Sequence, residues 1–246
     1  MSNPLLIHFK ESDSGQKDLI YTLRSLQNYV SELLIVGDKP SMLDPEAYSF
    51  VPFSNPYRRN KDANILKACI AGCVKLQNDG LSGDVIIASD DCVALKPYHE
   101  GIYLEQDYYS FMRAFPKRFA RNPWWERPYQ SMLFLAKAGK WASNAEAHVP
   151  QTVSIKSVMQ CIDAPIGEIP LGAKTLIVGN DRHLDKNRPS FHAPTLKIHP
   201  DQVHLVGDTK DGVTKHRFCN WSTATPELHE RLEVLFPTPS RFEHAN

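Results

Sequence analysis

Asp90 and Asp91 are adjacent carboxylates that follow the apolar run Val85-Ile86-Ile87-Ala88 almost without a break. A short, mostly branched run of this kind reads as a strand buried on both faces. In an open α/β sheet, ligands bind outside the carboxyl ends of the strands. Two carboxylates delivered there can hold a hard divalent cation, which in turn neutralises a diphosphate. The pair fits a solvated turn equally well, because Asp is a common turn residue. Three other features bear on that choice. Arg58, Arg59 and Lys61 cluster where a helix is expected to start near Asp62. Free backbone N–H groups favour an anion at such a place, and cations opposing the helix dipole are rationalised by a bound phosphate. His148 follows the acids by enough chain for a later strand or loop to return to the same sheet edge, and imidazole with carboxylate suits a manganese-like ion. Finally, residues 111–129 interleave Arg113, Lys117, Arg118, Arg121 and Arg127 with Phe115, Phe119, Trp124 and Trp125. That mixture grips a sugar face or stacks nucleic-acid bases, or it is an ordinary amphipathic connection.

Several elements must position these groups. Leu5 to Phe9 reads as a first buried strand, Asp18 to about Val30 as an amphipathic helix, and Leu33 to Val36 as a second strand. Strand, helix, strand at this spacing is a βαβ unit with parallel pairing and a right-handed crossover. Its loop carries neither G-x-G-x-x-G nor G-x-x-x-x-G-K-[ST], which excludes the Rossmann and Walker fingerprints. Tyr48 to Pro52 is a short third strand or edge segment, and a helix from Asp62 to about Asn78 leads into the central strand. Further on, helices are expected at Tyr129–Ala138, Ser154–Cys161 and Pro226–Leu235, the last capped by Thr225. Strands are expected at Thr175–Asp181 and Val203–Gly207, with Arg182–Asp201 as loop. The aromatic tail, Phe236 to Glu243, is expected to pack back on the domain.

The chain has 246 residues, 42% of them hydrophobic, which suits one large domain of residues 1–246 with a sizeable core. Residues 1–97 form a nucleotide-binding half and 98–246 an acceptor-side half with a C-terminal extension. Lys+Arg and Asp+Glu number 28 each, so no global field draws nucleic acid or anionic lipid, and such binding needs a local patch. Five scattered cysteines form no C-x-x-C pair and read as reduced core thiols, with Cys69 and Cys73 on one helix face. No segment reads as a signal peptide or a membrane span. The protein is expected to be cytoplasmic, with no membrane partner.

Taken together, L-I-Y-T-L-R-S-L at 19–26, L-L-I-V-G-D at 33–38, N-K-D-A-N at 60–64, I-I-A-S-D-D at 86–91 and A-H-V-P at 147–150 resemble the GT-A class of nucleotide-sugar glycosyltransferases. Within it, Y-T-L-R-S-L followed by a strand and a D-D turn is similar to Stealth-type sugar-phosphate transferases and phage-encoded relatives. The closing F-P-T-P-S-R-F-E is similar to the tail of small phage-type enzymes. The resemblance implies an α/β fold with a mixed, mainly parallel sheet, a Mn²⁺ or Mg²⁺ cofactor and a UDP-sugar donor. It implies Asp91 and His148 as metal ligands and His8, Lys10, Lys61, Asn64 and Asp90 on the donor. Arg24 would stabilise leaving-group charge. S-D-D stands where the family has D-x-D, which leaves open which acid meets the metal. Glu126, Asp107 and Asp181 each stand as the base for an acceptor hydroxyl, with Arg121, Trp124 and Trp125 binding the acceptor. A hydroxymethylated pyrimidine in phage DNA, modified in the host cytoplasm, is one such acceptor. Two alternatives remain: transfer of a sugar phosphate, and a non-catalytic nucleotide or nucleic-acid binding module on the same scaffold.

Overall fold

The structure, a computed structural model, describes residues 2–12, 14–146, 148–192, 195–206, 216–221 and 223–244. The chain begins with strand β1 (Asn3–Phe9), helix α1 (Gly15–Leu26) and strand β2 (Val30–Gly37). Strand β3 (Ser49–Pro52), helix α2 (Lys61–Asn78) and strand β4 (Asp84–Ala88) follow. The middle of the chain forms β5 (Cys92–Ala94), β6 (Ile102–Leu104), α3 (Tyr108–Arg121), α4 (Glu126–Lys137), β7 (Gln151–Ser154) and α5 (Ile155–Met159). The last third carries α6 (Ala173–Leu184), β8 (Ser190–His192), β9 (Thr195–Ile198), β10 (Phe218–Trp221) and α7 (Pro226–Leu235).

The main sheet has the order β3-β2-β1-β4-β7, parallel throughout except for β7, which runs antiparallel to β4. Side chains alternate between the faces of a strand, and here both faces are apolar. Leu6, Leu34, Val36, Val85 and Ile87 enter one core with residues of α2, α5 and α6. Leu5, Ile7, Phe9, Leu33, Ile35 and Ile86 enter a second core with α1. The result is an α/β architecture with a mixed, mostly parallel sheet flanked by helices. Two smaller sheets, β5-β10-β9 and β6-β8, lie outside it. A third core joins Tyr21 of α1 to Val93, Cys219, Trp221, Leu228 and Leu232.

The opening βαβ unit, α2, β4, α4, α5 and α7 fall where the sequence placed them, and Thr225 Oγ1 accepts the Leu228 N–H as the α7 cap. Cys69 and Cys73 share one core, and all five cysteines are buried and free. The tail packs back: Phe242 is 3% exposed, and Arg241 donates to the carbonyls of Val30 and Ser31. Three expectations need correction. The run 175–181 is helix α6, not a strand. Residues 200–205 form a 3-10 turn where a strand was expected from 203, and Gly207 lies outside the described residues. The supposed loop 182–201 contains the end of α6 and strands β8 and β9. Among the described residues, no helix is long and apolar enough to cross a membrane.

Candidate functional site

The strand order reverses at β1. The chain goes from β1 outward through β2 to β3, then returns across the sheet to place β4 on the other side of β1. Parallel strands leaving a common edge in opposite directions open a crevice at their carboxyl ends. A cavity of about 420 Å³ occupies that crevice. His8 and Lys10 reach it from the end of β1, and Ile87, Ala88, Ser89, Asp90 and Asp91 from the end of β4. Arg58, Lys61 and Asn64 come from the start of α2, His148 from the approach to β7, and Lys174 from the start of α6. The size falls within the range of small-molecule sites.

Asp90 and Asp91 sit in the turn between β4 and β5. Thr22 of α1 holds this turn by donating its hydroxyl to the Asp90 carbonyl at 2.8 Å. Burial, and then the charge of Asp91, push the Asp90 carboxyl up to about 7. Asp91 Oδ2 lies 3.3 Å from His148 Nδ1, and its buried Oδ1 has no hydrogen-bond partner among the described residues. The long separation between 91 and 148 is closed by β7, which lies beside β4 and brings the preceding loop back to the acids.

Cations share this lining. Lys10, Arg58 and Lys61 are exposed and make no hydrogen bond or ion pair among the described residues. Lys174 is buried, with its Nζ donating to Ser89 Oγ at 3.1 Å and to the Val149 carbonyl at 3.5 Å. Four cations thus accompany an acid pair of which Asp90 is only partly ionised near neutrality, so the cavity is net positive and suits a polyanion. Helix α2 adds its N-terminal backbone to this lining. Asn60 caps it by accepting the Ala63 N–H and donating to the Ile166 carbonyl at 2.6 Å. His8 Nε2 pairs with Asn55 Oδ1 at 2.9 Å, and burial lowers its pKa, which favours the neutral imidazole.

The structure therefore gathers His8, Lys10, Lys61, Asn64, Asp90, Asp91 and His148 around one cavity. Asn64 differs from its expected role, because its amide is engaged by the Tyr57 backbone, accepting the N–H at 3.1 Å and donating to the carbonyl at 3.0 Å. It shapes the Tyr57–Arg58 loop. Arg24 is not in the cavity lining. Its guanidinium pairs with Glu233 and Glu243 and donates to the Phe236 carbonyl, so it fastens the tail. Glu126, Arg121, Trp124 and Trp125 are likewise absent from the lining. Arg121 ends α3, Glu126 begins α4, and the Trp pair forms the 3-10 turn between them. The face of Trp125 is covered by the Arg118 guanidinium 4.4 Å above its ring centre. Of the other expected bases, Asp181 accepts the Ser154 N–H and pairs with Arg188, and Asp107 caps α3 through the Ser110 N–H.

Sequence reasoning missed Lys174 and Ser89, both of which line the cavity. Ser89 had a signal in its position directly before the acids. Lys174 had none, since a lysine ahead of a supposed strand is an ordinary surface residue.

The fit of a divalent cation rests on Asp91 and His148. An orphaned buried carboxylate oxygen beside an imidazole nitrogen suits two ligands of Mn²⁺ or Mg²⁺. Among the described residues no group of three or more His, Cys, Asp or Glu side chains converges to hold a metal. The protein donors make an open set that a ligand's oxygens and water would complete. No protein-family model matches the chain, and no curated protein matches it.

Proposed function

We propose that the protein is a glycosyltransferase of GT-A-like architecture that takes its sugar from a nucleoside diphosphate donor, UDP-linked in the first instance. The observation that carries this reading is the meeting of an acid pair and His148 with Lys10, Arg58, Lys61 and Lys174 in one cavity at the strand-order reversal. A diphosphate is the ligand whose charge suits such a lining, and carboxyl-end crevices are where open α/β sheets bind nucleotides. Asp91 and His148 would hold the cation, which when bound stabilises charge developing on the departing diphosphate. Lys10 from the end of β1 and Arg58 and Lys61 from the start of α2 bind the phosphates, and Lys174 is held against Ser89.

In the reaction, the bond between the anomeric carbon and the diphosphate oxygen breaks, and its electron pair leaves with the nucleotide. An acceptor hydroxyl forms the new bond and gives up its proton to a carboxylate. The five buried free thiols accord with a reducing, cytoplasmic setting.

The test is nucleotide release from UDP-sugars in the presence of Mn²⁺, for the wild type and Asp91→Ala. The reading predicts UDP release by the wild type and loss of release by a variant that keeps its circular dichroism. Release of UMP would instead indicate transfer of a sugar phosphate. Unchanged UDP release by Asp91→Ala would contradict the site assignment.

A further inference from the structure

Helix α3 presents an outward row of like charges. Arg113, Lys117 and Arg121 are exposed and follow Tyr109 at intervals of four residues, which places all four on one face. Successive members lie about 6 Å apart along the axis, at 1.5 Å per residue. No Asp or Glu occurs between Tyr108 and Trp125, although acids and bases are equal in number over the whole chain. Among the described residues, Arg113, Lys117 and Arg121 make no hydrogen bond or ion pair. Like charges at this spacing weaken a helix. A bound polyanion would reverse the sign of that cost.

Most of the aromatic side chains on the apolar face of the helix are already engaged. Phe111 is buried and stacks on Phe115, and Phe115 stacks on Tyr129 of α4 with ring centres 4.0 Å apart. Phe119, partly exposed, leans on Phe115 at 5.5 Å. A helix lying in a bilayer needs its apolar face for the lipid, and here that face is turned to α4. The charged row is left to a polyanion in water. At its amino end, Tyr109 is 79% exposed, with its ring edge-on to Tyr108 and still able to stack on a base.

We propose that this face of α3 docks a single-stranded nucleic acid, with its phosphates along Arg113, Lys117 and Arg121 and a base on Tyr109. Binding stands on the surface alone, and only the strand's role as acceptor rests on the transferase reading. The probe is a fluorescent single-stranded DNA of about 12 nucleotides, within the site size of such surfaces, followed by anisotropy across a salt series. Each phosphate contact on a single strand contributes about 0.7 to the log–log salt slope. The triple variant Arg113→Gln/Lys117→Gln/Arg121→Gln is expected to flatten the slope by about 2. The control Lys17→Gln/Lys156→Gln/Lys186→Gln, with the same charge change on exposed lysines elsewhere, is expected to leave it intact. Tyr109→Ala is expected to weaken binding about tenfold. Absence of binding, equal losses in the two triple variants, or dependence on α3 seen with anionic lipid vesicles but not with DNA would each overturn the proposal. A thermal shift with UDP and Mn²⁺ on the same proteins separates the two readings. If it persists while DNA binding fails, the docking surface is wrong and the donor site stands. If it vanishes while DNA binding holds, the docking surface stands alone.

Discussion

Asp91 is held at the mouth of the cavity with one oxygen toward His148 and the other buried without a partner. A buried polar atom left unsatisfied costs about 1–3 kcal/mol, so the site carries a standing preference for a ligand that supplies the missing contact. Asp91→Asn keeps the shape and removes the charge. Turnover is expected to fall by about 100-fold or more, the scale of losing one preorganised charge-stabilising group, and titration with Mn²⁺ should show the metal dependence going with it. Glu146, two residues before His148, gives a separate pH signature through helix α6. It is buried, accepts the Thr175 N–H at 2.7 Å, and so caps α6, whose own N-cap, Gly172, has no side chain. Burial first, and then the charge of Asp62, raise its pKa. A carboxyl raised in the folded state binds its proton more tightly there than in the unfolded chain. Its contribution is favourable at low pH and is lost as pH rises through the folded pKa. Glu146→Gln retains an acceptor for Thr175 and removes the titration. Its melting temperature relative to wild type should therefore climb between about pH 5 and 8, and a difference that falls with pH would refute the assignment.

Helix α6 shows what the sequence could and could not disclose about elements. T-L-I-V-G-N reads as a strand because the run is short, branched and followed by a turn-like Gly-Asn. Nine of its helical residues, Ala173 to Asp181, are buried in a row, so the helix has no polar face to reveal a 3.6-residue period. The same error hid Lys174. By contrast, β1, α1, β2, α2 and β4 were legible because each kept its own period and its own stop. The acid pair was legible for the same reason, as it marks where β4 ends. The return of His148 depends on the pairing of β7 with β4, which spacing allowed but did not determine. Arg24 was misread because pairing with Glu233 and Glu243 depends on a tail more than 200 residues away. Gly179 tests how closely α6 is packed. A Cβ there would lie 2.4 Å from Leu135 Cδ1 and 2.7 Å from the Trp141 carbonyl oxygen. Gly179→Ala gains about 1 kcal/mol of helix propensity, but overpacking costs about 1–3 kcal/mol. The backbone oxygen cannot rotate away as a side chain does, so net destabilisation is expected in a urea titration.

At the scale of the whole molecule, charge is balanced overall and unequally distributed. Cations collect at the strand-order reversal and on α3, and the tail clasp lies at neither. Arg24 sits in that clasp with side chains of Arg24 and Glu243 about one-tenth exposed. Removing one partner of a largely buried pair leaves the other charge uncompensated, at a cost of about 3–5 kcal/mol. Arg24→Ala should thus lower the melting temperature while leaving the donor dissociation constant within about twofold. A change in donor affinity without loss of stability would return Arg24 to the site. The central claim is that the cavity between the ends of β1 and β4 is a metal-assisted diphosphate site. Its most direct test is the thermal shift of the wild type with UDP, with and without Mn²⁺, beside Asp91→Asn and Lys61→Gln. At 100 times its dissociation constant a ligand stabilises the fold by about 2.7 kcal/mol, or about 5–10 °C for a chain of this size. The account predicts a shift of that size that needs Mn²⁺ and shrinks in both variants. No shift with any nucleoside diphosphate, or one that both variants retain in full, would contradict it.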